Sequence, residues 1–110
     1  MQDVKHITPE FAVSPQISAA QLGKLKAAGF TTVICNRPDH EDAGQLTLAE
    51  IKAAAEAAGL EAHHVPFTPG QATREDVGAF DTAVTTAKGK VLAYCRSGGR
   101  AQSLFAATQG

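Results

Sequence analysis

The stretch Val91-Leu-Ala-Tyr-Cys95-Arg-Ser-Gly-Gly-Arg100 decides the fold, because it joins two kinds of secondary structure through one short loop. The apolar residues that precede Cys95 predict a buried strand. The alanine-rich run that begins after Arg100 predicts a helix. Cys95 therefore stands at the end of a strand and faces the N-terminus of a helix.

The loop between this strand and this helix has the composition of an anion-binding loop. The free N–H groups and dipole of the helix, together with Arg96 and Arg100, favour the Cys95 thiolate over the thiol. Gly98 and Gly99 allow successive N–H groups to turn inward as a nest. Arg100 offers a planar fork to two oxygens of an oxyanion. The sequence therefore predicts Cys95 and Arg100 as catalytic residues around a bound anion.

An inert core cysteine is the alternative for Cys95, since a cysteine at a strand end is more often a small buried hydrophobic residue. The two arginines and two glycines that follow it favour the functional loop. The predicted anion-binding residues are Arg96, Ser97, Gly98, Gly99 and Arg37.

Arg37 has two interpretations, because it follows a predicted strand and lies at the same end of the sheet as the loop. It could reach the anion, or it could pair with Asp39, Glu41 or Asp42 and hold its own loop. We favour the structural role. Cys35, in the same strand, is interpreted as a core residue, and a resolving thiol for Cys95 is the less favoured hypothesis.

Three helix starts share one capping signal, a hydroxyl side chain three residues before a side chain that can bond back. The pairs are Ser18 with Gln21, Thr47 with Glu50 and Thr73 with Asp76. Gly29, Gly59 and Gly89 are predicted to end these helices. Each helix is followed by a β-rich run, at 31–35, 61–65 and 90–95. This alternation predicts an α/β fold with a small, mainly parallel sheet and helices on both faces.

The opening residues predict a short hairpin or an edge strand at 5–7 and 11–13. Pro9 and Pro15 argue against a central strand there. The long loops at 37–45 and 66–72 follow predicted strand ends, where open α/β sheets bind ligands.

Composition excludes several classes of protein. The 110 residues predict one domain at 1–110, and the near-balanced charge of −1 argues against a nucleic-acid binder or a membrane-surface binder. No apolar run approaches the length of a bilayer, and no apolar signal region opens the chain. Two distant cysteines make no disulfide framework. We therefore expect a reduced, cytoplasmic protein. His63 and His64 point to opposite faces of a strand and cannot share one metal. No metal site and no cofactor are predicted.

The loop from Cys95 to Arg100 resembles the active-site loops of rhodaneses and of cysteine-dependent phosphatases. The whole chain is similar to the phosphatase-like domain of the beta-lactamase-hydrolase-like proteins, a family that is also described as sulfur transferases. The segments that carry this resemblance are Ile17-Ser18, Gly29 to Asp39, Val65-Pro66 and the Cys95 loop. The resemblance implies a dual-specificity-phosphatase-like fold.

Two departures from the phosphatase pattern bear on the reaction. Four residues separate Cys95 from Arg100, as in rhodaneses, whereas the resemblance to phosphatases implies five. The general acid expected after Val65-Pro66 is replaced by Thr68 and Pro69, which hold no carboxylic proton. In addition, Tyr94 stands where such phosphatases carry a histidine. These differences favour a smaller guest, a sulfane sulfur, over a phosphoryl group.

Three hypotheses for the function follow. The first is a sulfurtransferase that forms a persulfide on Cys95 and passes sulfur to a thiol or cyanide. The second is a phosphatase that acts on small or aryl phosphates. The third is an anion-binding accessory domain fused to, or associated with, a sulfur-metabolising enzyme. In each, the expected partner is a small sulfur or phosphate anion, with neither nucleic acid nor membrane involved.

Overall fold

A computed structural model describes residues 4–37, 45–66, 73–96 and 98–109. The strands are β1 (Lys5–Thr8), β2 (Phe11–Ser14), β3 (Phe30–Cys35), β4 (Glu61–His64) and β5 (Lys90–Tyr94). The helices are α1 (Ala19–Ala27), α2 (Leu48–Ala58), α3 (Arg74–Thr85) and α4 (Gly99–Gln109). The predicted alternation is confirmed, and each of the three predicted β-rich runs differs from its strand by one residue.

The five strands form one sheet in the order β1-β2-β5-β3-β4. β2, β5, β3 and β4 run parallel to one another, and β1 pairs antiparallel with β2. β5 is thus the last strand along the chain but occupies the centre of the sheet. Because parallel strands end at the same edge, the residues after β5, β3 and β4 are brought together there.

Helices cover both faces of the sheet, as the alternation predicts. Successive residues of β5 point to opposite faces, so Leu92 packs with α1 and α2 while Val91 packs with α3 and α4. Ala12 and Ala93 are fully buried, one in each layer. Their small side chains allow the helices to approach the sheet closely, which explains how an alanine-rich chain fills its core.

The three predicted capping signals all lie at helix starts. Thr47 Oγ1 accepts the N–H of Glu50 at 3.2 Å, and Glu50 Oε1 accepts the N–H of Thr47 at 3.0 Å. Thr73 and Asp76 make the same reciprocal pair. The side chain three residues after Ser18 accepts the Ser18 N–H at 2.7 Å. Local sequence therefore sets where these helices begin.

The prediction for the opening segment is wrong in one respect. β1 and β2 form the predicted hairpin with β1 at the edge, but β2 pairs on both sides and all its residues are buried. Pro9 lies in the turn before β2, and Pro15 comes directly after it. Neither proline removes a donor from the ladder, so the prolines bound the strand without excluding it from the sheet interior.

Gly89 does not end α3, contrary to the prediction. The helix stops at Thr85, and Gly89 lies in the turn that leads into β5. A Cβ atom at this position would lie 2.7 Å from Thr31 Cγ2. The glycine therefore serves a close approach to the neighbouring strand.

Candidate active site

Cys95 follows the central strand directly and lies on the α3/α4 face of the sheet. Its side chain is packed away from solvent, at 1% exposure. Its N–H donates to the carbonyl of Ser14 at 3.3 Å, which fixes the start of the loop against the end of β2. The thiol therefore lies buried at the start of the loop and does not project into solvent.

Gly98 turns the chain back over this thiol. Its N–H donates to Cys95 Sγ at 3.0 Å, and its carbonyl accepts the N–H of Gln102 at 3.0 Å to begin α4. Gly98 has φ +91°, a left-handed conformation that favours glycine. A Cβ atom here would lie 3.5 Å from the carbonyl carbon of Ser14. At this amide, the inward turn expected of the loop is present.

Arg100 lies in the first turn of α4, with a partly buried side chain. Its Nη1 donates to the main-chain carbonyl of Asn36 at 3.3 Å. The guanidinium is thereby anchored to the end of β3, the strand next to β5. Sulfur and cation are thus held from different sides, the sulfur by the loop and the cation by a neighbouring strand.

Asn36 is a residue of the site to which the sequence analysis gave no role. It is fully buried; its N–H donates to the carbonyl of Tyr94 at 2.9 Å, and its Nδ2 donates to the carbonyl of Val65 at 3.0 Å. The other end of the amide, Oδ1, is buried without a donor among the residues that the structure describes. The sequence signal that could have found it is an asparagine directly after an apolar strand, because a buried amide there needs hydrogen-bond partners.

Arg37 is 2% exposed, and its Nη1 donates to Gln16 Oε1 at 2.9 Å. Its carbonyl accepts hydrogen bonds from Cys35 Sγ at 3.4 Å and from His64 Nε2 at 2.9 Å. Since a carbonyl can only accept, the proton of a neutral His64 ring lies on Nε2. This burial supports the structural role of Arg37, and its role in anion binding stays a prediction.

The other predicted site residues are placed as follows. Arg96 is exposed on the loop, and Gly99 is exposed as the first residue of α4. Ser97 lies outside the described residues. The proposed acidic partners of Arg37, within 38–44, also lie outside the described residues. The same is true of Thr68 and Pro69, the positions where the phosphatase pattern predicts a general acid.

His63 and Cys35 take positions that match their sequence interpretations. His63 pairs with Ile34 and His64 with Cys35, so the two imidazoles lie on opposite faces of β4. Cys35 belongs to the core that α1 and α2 cover, whereas Cys95 belongs to the core on the other face. The sheet therefore separates the two thiols, which counts against Cys35 as a resolving thiol.

The described donors at the site suit an anion. The Gly98 N–H points at Cys95 Sγ at the start of α4, and the Asn36 carbonyl holds the Arg100 guanidinium at the end of the neighbouring strand. Within the described ranges, no group of three or more His, Cys, Asp or Glu is placed to hold a metal ion. The arrangement suits a sulfur nucleophile facing an oxyanion.

Residues 3–110 match the family model described as the phosphatase-like domain of beta-lactamase hydrolase-like proteins. The chain belongs to this family. It is 34% identical over 99 residues to a beta-lactamase hydrolase-like protein of Agrobacterium fabrum and 34% identical over 103 residues to one of Xylella fastidiosa. The match covers 90% and 94% of this chain but 23% and 24% of those proteins, so the chain spans about a quarter of their length.

Solved structures agree with the phosphatase-like fold. A Neisseria meningitidis protein described as a candidate phosphatase is 37% identical, with a TM-score of 0.85 over 96% of this chain and 74% of its own. A Shewanella putrefaciens protein described in the same way is 23% identical, with a TM-score of 0.83 over 97% of this chain and 67% of its own. The protein tyrosine phosphatase Tk-PTP, at 24% identity and a TM-score of 0.70 over 96% of this chain and 71% of its own, shares the fold.

The predicted family and fold class are therefore confirmed. The comparisons support a phosphatase-like protein and give no support to the sulfurtransferase, which the sequence analysis placed first. The shorter loop and the missing acid favour sulfur transfer, but the fold still places Cys95 Sγ against the start of α4. None of the described helices is long and apolar enough to cross a lipid bilayer.

Proposed function

We propose that this chain is a cysteine-dependent phosphatase that hydrolyses aryl phosphate monoesters through a phosphocysteine at Cys95. The observation that carries the proposal is the hydrogen bond of 3.0 Å from the Gly98 N–H to Cys95 Sγ at the start of α4. An N–H group aimed at sulfur stabilises the thiolate, which is the nucleophilic form. Membership of a phosphatase-like family supports the same chemistry.

In the first step, the Cys95 thiolate attacks phosphorus, a sulfur–phosphorus bond forms and the bond to the phenolic oxygen breaks. Arg100 and the N–H groups of the loop hold the non-bridging oxygens, on which negative charge is concentrated. In the second step, water attacks phosphorus, the sulfur–phosphorus bond breaks, and inorganic phosphate and the thiolate are released.

The preference for aryl esters follows from the residues after β4. Thr68 and Pro69 stand where a general acid was expected, and neither can donate a carboxylic proton. The nearest aspartate along the chain is Asp76, and its carboxylate accepts the N–H of Thr73 at the start of α3. A phenolate departs without prior protonation far more readily than an alkoxide, so aryl phosphates suit this site.

The direct test is turnover of phenyl phosphate by the purified chain, together with intact-mass analysis after rapid acid quenching. We expect release of phosphate and a mass gain of one phosphoryl group that is absent in Cys95→Ser. The matched control is Cys35→Ser, which alters the other cysteine and should retain both signals. Turnover that survives in Cys95→Ser would overturn the proposal.

Sulfur transfer is the second candidate, and the spacing of four residues between Cys95 and Arg100 favours it. A ring closed this early suits a persulfide, which is smaller than a phosphoryl group. Exposure to thiosulfate or glutathione persulfide would then add one sulfur atom to Cys95. A sulfur adduct on Cys95 without any phosphoryl adduct would favour the sulfurtransferase over the phosphatase.

An anion-binding accessory role is distinguished by the same samples. If neither adduct forms, yet phosphate raises the melting temperature in a way that depends on Arg100, the chain binds anions without turning them over. The expected partner in every case is a small anion. Fusion to, or association with, a sulfur-metabolising enzyme belongs to this accessory-domain alternative.

A further inference from the structure

We infer that Asn36 is the positioning residue of the site, and that it sets the place of the Arg100 guanidinium through its own main-chain carbonyl. This inference rests on the proposed function, in which Arg100 holds the oxyanion of the substrate. The juxtaposition that carries it is a single buried residue that bonds to β5, to the end of β4 and to α4 at once.

The first step concerns how the main chain of Asn36 is fixed. Its N–H donates to the carbonyl of Tyr94 at 2.9 Å and so continues the pairing of β3 with β5 by one residue. On the other side, the Cys35 carbonyl accepts the N–H of Val65 at 2.9 Å. The peptide that ends β3 is therefore clamped between the ends of two strands.

The second step concerns the side chain. Asn36 Nδ2 donates to the Val65 carbonyl at 3.0 Å, beyond the last paired residues of β3 and β4. This bond is a second tie between the end of β3 and Val65, beside the bond from the Val65 N–H to the Cys35 carbonyl. The amide therefore limits rotation of the main chain at the point where the Asn36 carbonyl leaves the sheet.

The third step links this clamp to Arg100, whose Nη1 donates to that carbonyl at 3.3 Å. An arginine side chain has several rotatable bonds and loses considerable entropy when it is held in one place. A fixed acceptor at one nitrogen orients the planar fork, so its other N–H groups are presented in a defined direction. Asn36 thus acts on the anion through Arg100.

The amide is not explained by stability alone. Asn36 Oδ1 is buried and lacks a donor in the part of the chain that the structure describes, which is a cost to folding. An apolar residue would avoid this cost, but it would lose the Nδ2 bond to Val65. The nucleophile is held separately, by the Gly98 N–H on Cys95 Sγ. A substitution of Asn36 should therefore disturb the orientation of the Arg100 guanidinium and leave the reactivity of Cys95 unchanged.

The test uses Asn36→Ala and compares two independent readouts. Calorimetry measures the affinity for tungstate, an oxyanion that needs no turnover, and mass spectrometry measures the rate at which iodoacetamide alkylates Cys95. We expect tungstate affinity to fall about tenfold, as for the loss of one oriented charged contact. We expect the alkylation rate to stay within about twofold of the unaltered chain. The kcat/KM for phenyl phosphate should fall by the same factor as tungstate affinity.

Two further variants keep the test decisive. Ile51→Val removes one methyl group from the core on the opposite face and should leave tungstate affinity unchanged, which controls for a general loss of stability. Asn36→Ser keeps a donor on a shorter side chain and should recover part of the affinity. Asn36→Ser also carries the test if Asn36→Ala fails to fold.

The outcomes separate this inference from the proposed function. If the unaltered chain binds tungstate but hydrolyses no phosphate ester, the phosphatase proposal fails and the Asn36 comparison still stands on tungstate affinity. If the chain binds no tungstate, or Asn36→Ala binds it normally, the inference is overturned. Parallel loss of tungstate binding and Cys95 alkylation would also overturn it, because the residue would then be supporting the whole site.

Discussion

Cys35 is the last residue of β3 and Cys95 follows the neighbouring strand β5, so both lie at the same edge of the sheet, yet they have opposite surroundings. Both are almost fully buried, at 2% and 1% exposure. Cys35 Sγ donates to the carbonyl of Arg37, a bond that requires the thiol proton. Cys95 Sγ instead accepts the N–H of Gly98, a bond that a thiolate strengthens. Burial alone therefore does not distinguish the two cysteines, whereas the direction of the hydrogen bond at sulfur does; under the proposed function it favours Cys95 as the nucleophile.

The largest expected effect comes from replacing the sulfur of each cysteine in turn. Cys95→Ser should lower kcat for phenyl phosphate by about a thousandfold or more, because the nucleophile is lost. Cys35→Ser should change kcat by less than about threefold, since its side chain lies on the other face of the sheet. Steady-state kinetics of the two variants check this, and equal losses would show that the two sites are coupled.

The next effect concerns Arg100, which lies in the first turn of α4, the helix that follows the Cys95 loop. Arg100→Lys keeps the charge but loses the planar fork, so kcat/KM should fall about a hundredfold, as for the loss of an oxyanion donor. Alkylation of Cys95 by iodoacetamide should change by less than about threefold. A variant with normal kcat/KM would mean that charge alone is enough and that the fork is not used.

A smaller effect sharpens the role of the loop amide. Gly98→Ala forces an L side chain into φ +91°, and Gly59→Ala does the same at φ +85° at the end of α2. Each should lower the free energy of unfolding by about 1–2 kcal/mol. Gly98→Ala should also lower kcat/KM by about tenfold, because the N–H on Cys95 is displaced. Urea unfolding and kinetics measured on both variants separate strain from catalysis; a similar loss of kcat/KM in Gly59→Ala would contradict the assignment.

The smallest effect concerns Cys35 as a core residue. Cys35→Ala removes a buried sulfur from the layer beneath α1 and α2, and it should lower the free energy of unfolding by about 1–2 kcal/mol. Turnover of phenyl phosphate should stay within about twofold of the unaltered chain. A larger loss of turnover without a loss of stability would assign Cys35 to the reaction after all.

The sequence predicted the local parts of this molecule well. The capping pairs at Thr47 and Thr73 are present as reciprocal hydrogen bonds, and the strand before Cys95 ends within one residue of its predicted limit. Such features depend on residues three or four apart, which share their surroundings in any fold. The inward turn at Gly98 was predictable for a similar reason, since glycine can adopt a left-handed backbone without the strain that a side chain would cause.

The errors arose where a residue's role depends on a distant partner. Pro9 and Pro15 suggested an edge strand, but β2 lies inside the sheet because β5, from the far end of the chain, pairs beside it. Gly89 suggested a helix stop, but it accommodates Thr31 on another strand. The reaction is a different case: the missing acid and the short loop favoured sulfur transfer, whereas the family relationship supports a phosphatase-like protein, so sulfur transfer becomes the second candidate.

By itself, the sequence determined the alternation of helices and strands and the placing of Cys95 between a strand and a helix N-terminus. Only the tertiary structure decided that Ser14 and Asn36 stand on either side of that loop. Strand order is the physical reason: β5 enters between β2 and β3, so two strand ends far apart in the chain bond to one loop. Local periodicity encodes which segments are strands, but it does not encode which strands become neighbours.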